Sequence, residues 1–201
     1  MGVYFNPSNE SFTSDKNSKI YVDKTGLLEY LNGILGTNSR CIALSHARRF
    51  GKSHAAGMID AYYSLGCDST KLFEDTKIAE SSDFKKYMNK YNVIHLDISS
   101  VWDFHKEDLI EAIHERVCED FQKEYGETLN YKKELCLLIQ EIYSRTTIPF
   151  VIIIDEWDCI LREKKYTTED HKKYLDFIRN LLKDKAYVSL AYMTGILPIK
   201  K

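Results

Sequence analysis

The stretch Ile42-Ala43-Leu44-Ser45-His46-Ala47-Arg48-Arg49-Phe50-Gly51-Lys52-Ser53 leaves this chain few ways to fold. A short apolar run suited to a strand enters a loop ending Gly-Lys-Ser, and an alanine-rich helix pattern follows. That is the layout of a phosphate-binding loop. The first N–H groups of a helix lack intrahelical partners and lie at the positive end of its dipole, so they attract anions. Gly51 lets the backbone wrap a phosphate without a clashing side chain. Lys52 sets its ammonium against the β and γ phosphates, and the Ser53 hydroxyl is a magnesium ligand. A chance Gly-Lys-Ser at a helix start stays open on this segment alone. The full pattern GxxxxGK[ST] asks for Gly where this chain has His46, so the loop enters by a different path or binds more weakly. His46 itself is read as a loop residue.

Phe150-Val151-Ile152-Ile153-Ile154-Asp155-Glu156 is a buried-strand run that delivers two carboxylates at its carboxyl end. Asp155 is expected to hold magnesium through its bound water, and Glu156 to polarise the attacking water as general base. A strand followed by a solvated acidic turn is the plainer alternative for this run alone. The two segments in this order, each on an apolar strand, read together as a nucleoside-triphosphate site with magnesium. A catalytic Glu beside the magnesium Asp marks those P-loop proteins in which an extra strand lies between the P-loop strand and the Asp strand. That strand carries a polar residue sensing the γ phosphate. The run ending Met193-Thr194-Gly195 makes Thr194 the candidate, beside the plainer reading of a Thr that merely ends a strand.

The expected site is therefore Arg48, Arg49, Phe50, Gly51, Lys52, Ser53 and His54 around the nucleotide, Ser53 and Asp155 at the metal, and Lys52, Glu156 and Thr194 in catalysis. Arg48 and Arg49 touch phosphate or pair with acidic neighbours such as Asp158. Trp157 and Asp158 shape the loop after Glu156. Asp97 serves as a helix cap or as a polar group behind the site.

The 201 residues suffice for one domain with a sizeable core. A net charge of −2 gives no overall drive toward nucleic acid or acidic lipid, although a local basic patch is compatible with it. The five cysteines are odd in number, widely spaced and without a Cys-x-x-Cys, which fits a reduced cytosolic protein. His114 and Cys118 are one helical turn apart. With no second ligand pair in view, a polar neighbour beside a core thiol accounts for them better than a metal. No signal peptide is read, Asn6 stands where a myristoylation site needs Ser or Thr, and the longest apolar run is too short to cross a bilayer. The expected compartment is the cytoplasm, with no membrane partner.

Strand and helix patterns alternate. Residues 1–20 are polar and turn-rich and read as an extended arm. Asp23 reads as the cap of a helix from about Lys24 to Leu31, ended by Gly33 and Gly36. Strands are expected at Arg40–Leu44, Val93–Ile98, Phe150–Ile154 and Tyr187–Met193. Helices are expected from Lys52 or Ser53 to about Leu65, over Lys106–Tyr125, Lys133–Arg145 and Thr168–Lys183, with two short ones between Thr70 and Lys90. Leu109, Ile113, Val117 and Phe121 fall on one face of the second of these, and Leu175, Ile178, Leu181 and Leu182 on one side of the last. Apolar rather than alternating strands signal a mostly parallel sheet covered on both faces. The fold expected is an α/β, three-layer αβα P-loop domain spanning residues 1–201.

At Tyr21-Val22-Asp23-Lys24-Thr25, Arg48-Arg49-Phe50-Gly51-Lys52-Ser53, Ile154-Asp155-Glu156-Trp157-Asp158 and Thr194-Gly195-Ile196 the chain resembles the predicted AAA-ATPase-like family of bacteria. Ala61-Tyr62-Tyr63 and Leu72-Phe73 extend the likeness through most of the chain. Members usually carry Arg-Pro where this chain has His46-Ala47, and Tyr where it has Trp157. The resemblance implies ATP and Mg2+ as cofactors, with ATP and ADP bound and the γ phosphate attacked by water. Members usually continue past the Thr-Gly sensor into a lid, often followed by a nuclease-like domain. With the sequence ending at Lys201, the lid subdomain is expected to be missing. Another copy of the chain or a partner protein would then complete the site. Three alternatives remain at this level: a truncated, non-catalytic nucleotide- or partner-binding module, the ATPase fragment of a nucleic-acid-associated system, and a small-molecule kinase, for which nothing in the chain marks an acceptor pocket or a lid. The second draws no support from the net charge.

Overall fold

Four apolar runs pair as one parallel sheet, and alternate side chains of the two inner strands are buried on opposite faces. The computed structural model describes residues 2–104 and 108–197, with residues 102–104 described by backbone only. The strands are β1 (Cys41–Ser45), β2 (Asn92–Asp97), β3 (Phe150–Asp155) and β4 (Val188–Gly195), ordered β1-β4-β3-β2. All three pairings are parallel. β4 thus lies between β1 and the Asp155 strand β3, as expected of the extra strand.

The helices are α1 (Glu10–Lys16), α2 (Gly26–Ile34), α3 (Lys52–Tyr63), α4 (Thr70–Phe73), α5 (Phe84–Tyr87), α6 (Ile98–Phe104), α7 (Leu109–Tyr125), α8 (Leu135–Thr146), α9 (Cys159–Arg162) and α10 (Thr168–Leu182). Val151 and Ile153 of β3 join α1, α2 and α3 in one apolar cluster. Phe150, Ile152 and Ile154 of the same strand join α7, α8 and α10 in the other. A strand buried on both faces has no room for polar alternation, which is why β3 reads as a continuous apolar run. Together these layers make a three-layer α/β fold.

β1 departs from the expectation of strands covered on both faces. It is the edge strand, and Cys41, Ala43 and Ser45 are exposed. The expected extended arm is also corrected. Residues 10–16 are helical, and Phe12 is buried against the α3 side. Residues 4–6 run antiparallel beside β2, with the Asn6 N–H donating to Val93 O at 2.8 Å and the His95 N–H to Tyr4 O at 2.9 Å. This backbone pairing, with buried Phe5, covers the outer edge of β2 and protects it from foreign strands.

Smaller corrections share one cause, tertiary contacts outweighing local pattern. Helix α2 starts at Gly26, because Asp23 spends its carboxylate on the N–H groups of Thr25 and Lys77. Gly33 lies inside that helix. Between Thr70 and Lys90 stand α4, a 3-10 turn over Lys77–Glu80 and α5. The buried face of α10 is Tyr174, Ile178, Leu181 and Leu182, while Leu175 is exposed. The face of α7 holds, with Leu109, Ile113, Val117 and Phe121 all buried. Lys106, the expected start of that helix, lies outside the described residues.

Candidate functional site

The phosphate-loop candidate leaves the carboxyl end of β1. Ser45 is in register with Gly195 and Leu44 with Thr194, and the His46 N–H donates to Gly195 O at 3.1 Å. The loop returns into α3 through Gly51, whose φ of 72° is left-handed and open to glycine without strain. Arg49 just before it is also left-handed, at φ 69°. Lys52 is buried, and its ammonium donates to His46 O at 3.1 Å and Ala47 O at 3.0 Å. An ammonium carries three donors, so two loop carbonyls leave one to serve an incoming anion.

Asp155 ends β3 at the same edge of the sheet. With β4 alone between them, β1 and β3 are about 10 Å apart, two strand spacings. The Thr194 hydroxyl donates to Asp155 Oδ1, and the Glu156 N–H donates to the same oxygen at 3.0 Å. Both Thr194 and Asp155 are buried. They continue the rows that hold Tyr192 and Ile153 in the α3-side cluster, so they lie on the sheet face that α3 covers. Asp155 Oδ2 has no hydrogen bond among the described residues, which leaves an oxygen for a metal or its water.

The remaining expected residues are placed as follows. Ser53 is exposed in the first turn of α3. Arg48, Arg49 and Phe50 are exposed, and Phe50 stacks on His46 at 5.3 Å. Arg48 and Arg49 make no ion pair among the described residues, so their expected pairing with Asp158 is not found. His54 pairs with Asp15 of α1, Nδ1 to Oδ1 2.6 Å, with its ring Cδ2 3.7 Å from where a Cβ at Gly51 would stand. Asp97 takes the capping role, accepting from the N–H groups of Ser99 and Ser100 in α6. The His114 ring lies 3.6 Å from Cys118 Sγ, and burial pushes that thiol up to about 11. No group of three metal-ligating side chains occurs among the described residues.

Arg162, which sequence reasoning missed, completes the arrangement together with Asp158, which was read only as shaping the loop. Arg162 ion-pairs with Glu156, Nη2 to Oε2 2.7 Å, and its Nε lies 3.3 Å from Asp158 Oδ2. Asp158 is fully buried, and its Oδ2 accepts the N–H groups of Ile196 and Leu197 at 3.0 and 2.7 Å. The one available signal for Arg162 was its place four residues after Asp158, a spacing at which an acid and a base can pair. Gly195 permits this closeness, since a Cβ there would sit 2.6 Å from Trp157 Nε1 and 2.8 Å from Asp158 Oδ1.

Beneath Asp155, His95 of β2 meets Asp60 of α3, Nδ1 to Oδ2 2.5 Å. Burial opposes the imidazolium, but Asp60, with Asp155 and Asp97 further off, outweighs it and holds His95 above its ordinary 6.5. Burial raises Asp60 against the pull of His95, and the charge of Asp155 adds to the rise.

Among the described residues no helix is long and apolar enough to cross a membrane. No curated protein matches the chain. A family model described as predicted AAA-ATPase matches residues 10–201. The loop, the acidic strand end and the intervening Thr194 strand all fall within that match, and the chain belongs to the predicted AAA-ATPase family.

Proposed function

We propose that the chain binds ATP with magnesium at the carboxyl end of the sheet and hydrolyses it, using the nucleotide cycle to change shape. The observation that carries this reading is the bond from Thr194 to Asp155. It joins the middle strand to the acidic strand at the level where β1 opens into the phosphate loop. Phosphate oxygens would meet the free N–H groups at the start of α3 and the Lys52 ammonium. The metal would be held by Ser53 and by the free oxygen of Asp155, and when bound it neutralises charge on the phosphate oxygens. The donor set fits a hard cation, being a hydroxyl and a carboxylate. Glu156 would orient the water and take its proton. Thr194 fixes Asp155 through its one hydroxyl hydrogen, which would have to turn from that carboxylate to sense a γ phosphate.

A second reading, nucleotide binding without turnover, is favoured by one observation: Glu156 is engaged by Arg162. Phosphate release with magnesium ATP separates the two. Slow turnover in the native chain is expected, with none in Glu156→Gln, which keeps its affinity for ATP, and no binding at all in Lys52→Ala. Hydrolysis surviving in Glu156→Gln would remove Glu156 from the role given to it.

A further inference from the structure

Glu156 does not hang free at the strand end. Its φ of 51° is left-handed, a conformation that strains a side-chain-bearing residue, and its carboxylate is aimed at Arg162. The guanidinium is shared by two carboxylates of different standing. Asp158 is fully buried and fixed by two backbone N–H groups. The side chain of Glu156 keeps 27% of its exposure and that of Arg162 keeps 19%. Asp158 is therefore the anchor, and Glu156 the partner that can exchange.

We propose that Arg162 is a positioning residue that parks Glu156 away from the reacting water, so that turnover waits for this ion pair to open. The proposal rests on the reading of Glu156 as general base. A base must come within hydrogen-bond reach of the proton it takes, and a carboxylate oxygen engaged at 2.7 Å by a guanidinium is directed elsewhere. A partly exposed pair is weak enough to open during a catalytic cycle. Its anchor also holds the backbone just after Thr194 and Gly195. A shift of the chain beyond β4 would therefore move Asp158, and with it the grip of Arg162 on Glu156. Water attack on the γ phosphate is unchanged in its balance. The proton passes to Glu156, and Arg162 takes no part in the bonds made or broken.

The test uses Arg162→Lys. A lysine keeps a positive charge for buried Asp158, which protects the fold, but a point charge cannot span two carboxylates as the planar fork does. Phosphate release at saturating magnesium ATP, the affinity for a fluorescent ATP analogue and the melting midpoint are measured together. Turnover is expected to rise about three- to fivefold, matching the loss of a partly exposed ion pair, with affinity unchanged. Arg162→Gln should do the same, and it serves as the second variant if the lysine melts early. The double variant with Glu156→Gln should show no turnover, since the gain must pass through Glu156. A folded Arg162→Lys or Arg162→Gln with turnover at or below that of the native chain overturns the latch while leaving the general base in place. A native chain that binds no ATP, or a Glu156→Gln that turns over at the native rate, overturns the underlying reading and the latch with it.

Discussion

At the end of β3, Asp155 accepts from the Thr194 hydroxyl and the Glu156 N–H on one oxygen and keeps the other without a partner among the described residues. A carboxylate pinned on one side presents its second oxygen in a fixed direction, which is what a metal site asks of its supporting groups. Thr194→Val keeps the shape and removes the donor. We expect a loss of about 1–2 kcal/mol in urea unfolding and about a tenfold weaker response of ATP binding to magnesium. Binding without magnesium should change little. An unchanged magnesium response would show that Thr194 serves the strand and not the site. At this scale the places of Gly51, Lys52 and Ser53 at the entry to α3 and of Asp155 at the end of β3 were legible, because a glycine turn into a helix and an apolar run ending in acid mark those points in the sequence. The place of the Thr194 strand between β1 and β3 was legible from the position of Glu156, whereas the bond from Thr194 to Asp155 was not. The Arg162–Glu156 pair was not legible, because a six-residue separation across a turn carries no periodic signal and depends on how the chain bends after Glu156.

Between elements, α3 is tied to β2 through Asp60 and His95. Both groups hold protons more tightly in the folded chain than in the unfolded one. Their contribution to stability therefore falls as pH rises. That of Asp60 declines upward from its ordinary 3.8. That of His95 is fully present below 6.5 and is lost as pH climbs through the raised value of the folded state. We expect urea midpoints to fall from pH 6 to pH 9, with His95 giving at most about 1.4 kcal/mol per pH unit. His95→Gln should flatten the curve, and equal slopes in the two proteins would contradict the assignment. Strands β2, β3 and β4 and helices α3, α7, α8 and α10 were readable from apolar runs and turn-spaced faces. The short elements α1, α6 and α9 were not, because four to seven residues give a helix period too little length to register. The N-terminal segment hid its role in two phenylalanines, Phe5 and Phe12, set within a polar stretch. The exposure of β1 was equally hidden, since an edge strand and a central strand share an apolar run.

Across the whole molecule, parallel pairing sends every strand's carboxyl end to one rim, and the loop after β1 and the acidic turn after β3 meet there with β4 between them. Ligands of open parallel sheets gather at such a rim. The net charge of −2 means that any anion affinity must come from the local array of helix N–H groups and Lys52. The measurement that tests this most directly is a titration of the purified chain with labelled ATP, with and without magnesium, beside Lys52→Ala. Saturable binding that tightens with magnesium and vanishes in Lys52→Ala is the expected result. Binding that is absent, or that survives intact in Lys52→Ala, would contradict the account.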